Sequence, residues 1–311
     1  MIKQIIALII KGMVVGGCNM VPGVSGGTVA LLLGIYRRLI EALHCVFARS
    51  SWQLLFKLQF RLWWQCIQGG FLLAVFVGVF LGLLVFASIL NWAFNEYESL
   101  TLALFLGMII AAAWYLLKSL FPLGRVDVLW LVVGLAVSLS LFFVPVLSEN
   151  SSPLYLVLCG VVAMVSMVIP GLSGSYLLLL LGNYTLMVEA ISSLGEGAYQ
   201  EAFAVLGWLF LGCFVGLIGM VKFLAWLLKH YERALIANVS GFVVGSMLLL
   251  WPFKQAKKII DDKIVSYDYL PLDLTNQQHW LAVTLFILGA AFIVILQNCK
   301  PKIKVVKKTH Q

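Results

Sequence analysis

The sequence predicts an all-α polytopic membrane protein made of two inverted repeats, each with one re-entrant helical hairpin plus three transmembrane helices. Three observations carry that reading. Of 311 residues, 62% are hydrophobic and only 11% charged, with a mean hydropathy of +1.04, and a soluble domain of this size needs far more polar surface. Several apolar runs reach about 20 residues, roughly what a helix needs to cross a hydrocarbon core of about 30 Å. One motif occurs twice at a fixed separation. Strand-type alternation of apolar and polar residues is missing, which argues against an outer-membrane barrel.

The repeat sets the domain limits. Pro22-Gly23-Val24-Ser25-Gly26-Gly27 leads into Leu31-Leu32-Leu33-Gly34, Tyr36 and Glu41-Ala42, and Pro170-Gly171-Leu172-Ser173-Gly174-Ser175 leads into Leu179-Leu180-Leu181-Gly182, Tyr184 and Glu189-Ala190. The separation is 148 throughout, and 11 of the 21 positions from Pro22 to Ala42 are identical. A weaker echo pairs Tyr97-Glu98 and Gly107 with Tyr231-Glu232 and Gly241. Residues 1–147 therefore form the first repeat, 148–299 the second, and 300–311 a basic tail. In the first repeat the hairpin covers about 2–36, an interfacial segment 37–68, and the spans about 69–92, 99–121 and 126–147. In the second the hairpin covers about 153–184 and the spans about 201–228, 233–252 and 279–299.

Each hairpin is predicted from its broken centre. Proline removes a backbone donor, and the neighbouring glycines and serine permit a sharp turn. The arms on either side are short for full crossings, and irregular backbone at membrane depth survives only where protein or a watery cavity satisfies it. A hairpin with its tip near mid-membrane meets both conditions. Cleavage after Val15-Gly16-Gly17, as in a lipoprotein signal, is rejected: Lys11 interrupts the apolar core, and the cut would enter the repeated unit.

Charge orients the spans. With two hairpins that turn back and six full spans, fifteen Lys/Arg fall on the side of the N-terminus, 37–68, 118–125, 229–233 and the tail. Four fall opposite, at Lys254, Lys257, Lys258 and Lys263. Glu96, Glu98, Glu149, Glu189, Glu196 and Glu201 lie opposite as well. The positive-inside rule puts both termini in the cytoplasm, and three spans per repeat make the copies inverted. The net charge of +8 is thus a topology signal, and nucleic acid is not a partner. The Arg, Lys, Trp and Leu mix of 37–68 suits helices lying on the cytoplasmic membrane face, and the tail, Lys300 to Lys308, suits contact with anionic phospholipids. Cys18, Cys45, Cys66, Cys159, Cys213 and Cys299 show no metal or disulfide spacing, so no metal and no cofactor is expected.

Inverted repeats with broken helices meeting near the midplane suit alternating access by rocking of the two halves. At Ser25, Gly26, Gly27 and Thr28, and at Ser173, Gly174, Ser175 and Tyr176, free N–H groups and hydroxyls open a helix. Such a terminus suits a phosphate or carboxylate; the same glycines also suit close helix packing. Lys11 lies in a hairpin arm within reach of the tip. Arg37 and Arg38 close the first half-helix, where they would hold a lipid phosphate or simply anchor the topology. Glu41 and Glu189 are repeat-related carboxylates that suit a coupled proton or sodium ion, or an exposed interface.

At Asn19-Met20-Val21-Pro22-Gly23-Val24-Ser25-Gly26-Gly27-Thr28 and Met167-Val168-Ile169-Pro170-Gly171-Leu172-Ser173-Gly174, the chain resembles the bacterial polyprenyl-phosphate transporters, a membrane family long known only as a domain of unknown function. The likeness runs over essentially the whole chain. It implies a non-enzymatic flippase in the cytoplasmic (inner) membrane that returns undecaprenyl phosphate for reuse in peptidoglycan and cell-envelope synthesis. The alternative class is the undecaprenyl-pyrophosphate phosphatases, which share inverted repeats and a Pro-Gly-x-Ser-Arg-Ser-like motif. The arginine position is Gly26 in one copy and Gly174 in the other. His44, His230, His279 and His310 stand far along the chain from both motifs, so the usual stabiliser of a transferring phosphoryl group is missing.

Overall fold

The computed structural model describes residues 2–19, 25–170, 172–195, 197–260, 263–272 and 276–298. The Pro22-Gly23 turn, Gly171, Glu196 and the basic tail lie outside the described residues. The fold is helical and multi-pass; among the described residues four helices are long and apolar enough to cross a membrane, Gly69–Phe86, Trp92–Ser119, Ala202–His230 and Gln277–Ile295, or five if the bent pair Gly174–Leu180 and Tyr184–Ser193 is one span.

The first repeat opens with α1 (Ile2–Cys18), a break, and the short α2 (Gly26–Leu32). The second opens with α8 (Pro153–Val168) and α9 (Gly174–Leu180). Each short helix ends in the same device. Gly34 (φ 69°) and Gly182 (φ 77°) adopt the left-handed conformation. Ile35 N–H then bonds the Ala30 carbonyl (3.0 Å), and Asn183 N–H the Leu178 carbonyl (3.2 Å). This is a Schellman closure, and its left-handed residue is most cheaply glycine. After Gly182 the chain bends by 108° into α10 (Tyr184–Gly195).

In the first repeat α3 (Tyr36–Val46), α4 (Arg49–Phe56) and α5 (Phe60–Cys66) are three short helices that lead from the hairpin to the first long span. Trp52, Phe56, Phe60, Leu62 and Trp64 remain exposed on α4 and α5. Two predicted spans, 69–92 and 99–121, form one element, α6 (Gly69–Ser119), broken at Tyr97 by φ −140° and ψ 48°. Their counterparts α11 (Tyr199–His230) and α12 (Glu232–Ser246) meet at Tyr231, with φ −136° and ψ 36°. The predicted Tyr97/Tyr231 echo thus marks two nearly identical backbone breaks.

The span predicted at 126–147 is α7 (Arg125–Ser140) followed by a 3₁₀ turn, Leu141–Phe143. The span predicted at 233–252 is α12 followed by a 3₁₀ turn, Met247–Leu250. At about 1.5 Å per α residue and about 2.0 Å per 3₁₀ residue, each composite reaches roughly 30 Å, about one hydrocarbon thickness. The stretch before α13 (Gln277–Asn298) adds an antiparallel hairpin that the sequence reading did not anticipate. There β1 (Lys254–Ile260) pairs with β2 (Lys263–Tyr269), with a register shift near Lys258. Its Ile, Val and Tyr content favours strands.

Glycine contacts fix the packing. A methyl group at Gly12 would strike the Val75 carbonyl, and one at Gly160 the Leu209 carbonyl. Likewise Gly78 meets Ile9 and Gly212 meets Val157. So α1 lies backbone-to-backbone on the first arm of α6, and α8 on α11, with residue-for-residue correspondence. The later spans cross over between repeats. Gly107 of α6 meets Phe286 of α13 and Gly289 meets Leu104, while Gly241 of α12 meets Leu131 of α7 and Gly134 meets Asn238. The second span of each repeat therefore packs on the third span of the other. Small residues permit such close approach in membranes. The main core joins α2, α3, α6, α11 and α12 through Ala30, Ile40, Leu106, Leu224 and Val239.

Candidate functional site

The two hairpins meet at their broken centres. The Ser25 hydroxyl donates to the Ile169 carbonyl at 3.5 Å, and the Tyr36 hydroxyl to the Val168 carbonyl at 3.1 Å. A side chain at Gly27 would stand 3.3 Å from the Val168 carbonyl oxygen and 3.4 Å from Pro170. The start of α2 thus abuts the end of α8, whose last carbonyls have no intrahelical partners of their own. Pro170 is fully buried at this crossing. Proline there ends α8, and glycine at position 27 lets the second backbone come in.

The two helix openings differ in what they have left to offer. At α2 the Gly26 N–H donates to Asn19 Oδ1 (2.7 Å) and the Gly27 N–H to Ser25 Oγ (3.3 Å). Those donors are spent on the chain's own side chains. Thr28 is 3% exposed, and its hydroxyl has no hydrogen-bond partner, a state that costs on the order of 1–3 kcal/mol in a buried site. At α9 the Ser173 side chain caps no backbone N–H; it pairs instead with the exposed Ser175 hydroxyl at 2.9 Å. Gly174 is buried against the Ala163 carbonyl, and Tyr176 donates to the Leu141 carbonyl at 3.2 Å. Ser25, Gly26, Gly27 and Thr28 are thus brought to the end of α8 just before the second turn, while Ser173 and Ser175 open α9 beyond it.

The cations go elsewhere. Lys11 does not reach the tip: its ammonium donates to the Leu33 carbonyl at 3.1 Å, at the other end of α2. A seven-residue helix places those ends about 10 Å apart. The physical reason is the partial negative charge of a helix C-terminus, which attracts a cation that the N-terminus repels. Arg37 pairs with Glu41 (3.0 Å) and with Glu232 of the second repeat (3.1 Å). The Glu41 hydrogen bond first, then the charge of Glu232, raises the Arg37 pKa above its ordinary value. Arg38 donates to Gln68 Oε1 at 2.6 Å and stacks over the Phe71 ring at 4.2 Å. Glu189 lies exposed on α10, its backbone carbonyl accepting from Ser193. The repeat-related carboxylates Glu41 and Glu189 therefore sit in different surroundings, only the first in an ion pair with Arg37.

A second cluster escaped sequence reasoning. Asp127, 4% exposed, accepts from Arg233 Nε (2.9 Å) and Nη2 (2.7 Å), and the same Nη2 reaches the Leu120 and Pro122 carbonyls at 2.6 Å. Asp127 also accepts the Gly124 N–H and caps α7. The available signal was a lone acid in the first turn of a helix at the basic end. The structure gathers three segments that the charge rule assigns to one side, 37–41, 118–127 and 230–233. Among the described residues no group of three His, Cys, Asp or Glu side chains is placed to hold a metal.

Residues 15–268 match the model of a family described as undecaprenyl phosphate translocase-like. The chain is similar to a protein named polyprenyl-phosphate transporter from Vibrio cholerae, 25% identical over 309 residues that cover 94% of this chain and 96% of the relative. It is also similar to a protein of the same name from Staphylococcus aureus, 28% identical over 256 residues that cover 78% of this chain and 85% of the relative. No solved structure matches it.

Proposed function

The chain belongs to the undecaprenyl phosphate translocase-like family, and on that premise we propose that it carries a polyprenyl phosphate across the bacterial cytoplasmic membrane, with undecaprenyl phosphate as the substrate and recycling of the envelope carrier lipid as the purpose. The observation that carries this reading is the meeting of the two broken hairpins through Ser25, Gly27 and Tyr36 on one side and Val168 to Pro170 on the other. It brings the opening of α2 in the first repeat against the end of α8 in the second, just before the turn that leads into α9. The headgroup sits beside that crossing, held by hydroxyls and N–H groups of Ser25, Thr28, Ser173 and Ser175, while the prenyl tail stays in lipid. A neutral donor set of this kind binds a phosphate without a covalent step, and neither opening presents an arginine for phosphoryl transfer. We read the chain as a carrier and not as an enzyme.

Both termini face the cytoplasm in this reading, because the alternation of spans along the sequence assigns fifteen of the cations to one side. The copies are then inverted in the membrane. The crossing-over of spans between repeats implies that the bodies that move are mixed bundles, the second arm of α6 with α13 and α7 with α12, instead of the sequence halves. Glu41 and Glu189 remain the candidates for a coupled proton or sodium ion.

The test is translocation in proteoliposomes of purified protein, with undecaprenyl phosphate and its pyrophosphate offered separately. Movement of the monophosphate between leaflets with no inorganic phosphate released is the expected result. Release of phosphate from the pyrophosphate would make the protein an enzyme.

A further inference from the structure

The two tyrosine breaks are equivalent in backbone but not in what surrounds them. Tyr97 (φ −140°, ψ 48°) and Tyr231 (φ −136°, ψ 36°) each join a helix that carries a hairpin to a helix that packs with the other repeat. Such a non-helical residue between two rigid helices is where a rotation of one against the other is absorbed. Across the Tyr97 break the Thr101 hydroxyl donates to the Ala93 carbonyl at 3.0 Å. The two residues after Tyr97 are Glu98 and Ser99; the two after Tyr231 are Glu232 and Arg233, of opposite charge and each engaged with the first repeat.

Arg233 holds the first turn of α12 on the 120–127 turn through the Asp127 carboxylate and the Leu120 and Pro122 carbonyls. Glu232, beside it, reaches Arg37 on α3, and α3 follows directly on the first hairpin. A shallow groove of about 600 Å³ opens along Pro122–Asp127 and His230–Ala234, so the break lies beside free space. The positions that correspond by repeat to Arg37 and Asp127 are Thr185, by the separation of Tyr36 and Tyr184, and Ala282, by that of Gly134 and Gly289. Neither carries a charge. At the opposite end the two repeats meet in an apolar contact of Leu100 and Ala103 with Trp251, Phe253 and Ala282, with the Glu98 carboxylate in Coulombic reach of Lys254.

We propose that Tyr231 is a hinge of the transport cycle and that Arg37–Glu232, with Arg233–Asp127 as its positioning pair, is an ionic latch that closes the basic end of the protein. The latch rests on the carrier reading for its purpose, and its geometry stands apart from any substrate. The Arg37 pair is surface-exposed on both sides, 56% and 44%, so water screens it and it is a weak contact. That is the strength wanted of a contact that must open and close. The Arg233–Asp127 pair is held by a buried carboxylate and stays made.

Amide hydrogen exchange on the full-length protein in lipid nanodiscs reads both ends at once and needs no substrate. Arg37→Gln should raise exchange several-fold at 36–42 and 230–236 and lower it at 100–104 and 251–253, because opening one end of a two-state carrier closes the other. Arg37→Lys, which keeps the charge, should behave as the parent. A rise confined to the severed contact, or no change at the opposite end, would overturn the latch. Asp127→Asn is the harsher variant; if it loosens the whole fold, Arg37→Gln still decides. Translocation of undecaprenyl phosphate is measured on the same preparations. Reciprocal exchange in a protein that moves no lipid would keep the latch and remove the carrier reading; transport without reciprocity would do the reverse.

Discussion

At the scale of single residues, the hydroxyls at the hairpin crossing have the clearest consequences. Ser25 is buried, donates weakly, at 3.5 Å, to Ile169 and accepts the Gly27 N–H as the cap of α2, so its loss costs the fold about 1–2 kcal/mol. Ser173 and Ser175 bond each other and no backbone. The double variant Ser25→Ala, Ser173→Ala should therefore accumulate in the membrane like the parent while losing most translocation in proteoliposomes; normal transport at normal abundance would place the headgroup elsewhere. Lys11→Met makes the opposite separation. Its ammonium serves the Leu33 carbonyl at the end of α2, so the variant should lower thermal stability, by about 1 kcal/mol, and leave headgroup affinity unchanged. A shift in lipid affinity would return Lys11 to the binding site. The motif residues around Ser25 and Ser173 were legible in the sequence because the repeat singled them out. The partners of Lys11, Arg37 and Arg38 were not. An ion pair spanning 195 positions, as Arg37–Glu232 does, depends on the tertiary fold and leaves no local pattern.

At the scale of elements, glycine carries the packing, and the sequence showed only half of it. Gly107 and Gly241 stood out as an echo, yet their partners, Phe286 and Leu131, lie in the third span of the opposite repeat. Nothing in an apolar run says which neighbour it chooses, since hydrocarbon and another helix are equally apolar environments. The same uniformity hid where α7 and α12 change to 3₁₀ turns, whereas the strands at 254–260 and 263–269 lie in a charged stretch with no clear alternation and are defined by their pairing. The contact geometry supports a sharp expectation. Gly107→Val and Gly289→Val each drive a side chain into a backbone carbonyl of the α6–α13 pair, a clash that no rotamer relieves. Either should cost about 1–3 kcal/mol or more and reduce the amount of folded protein recovered from membranes. Gly219→Val, where a side chain at the same kind of position meets nothing within 4 Å, should leave recovery unchanged. Equal losses in all three would mean that helix propensity, not the crossing, is what the glycines serve.

At the scale of the whole molecule, the exchange of spans decides how the protein assembles and which parts are able to move. Two repeats that each kept their own three spans would bury their cores separately and meet at one interface. Here each repeat holds only half of each later pair: α6 needs α13 from the second repeat, and α12 needs α7 from the first. The first hairpin likewise rests on the second through Ser25 and Tyr36. A chain cut in the exposed stretch near Asn150, between α7 and α8, should therefore give two fragments that are degraded when made alone. Made together, they should be retained, because the glycine-lined crossings and the hairpin contact form only between them. Co-purification of the two fragments from detergent, with translocation recovered, is the expected result. Independent accumulation of residues 1–150 would show that the first repeat is a self-sufficient body. In that case rocking of sequence halves, which the repeat alone predicts, would replace motion of mixed bundles about Tyr97 and Tyr231.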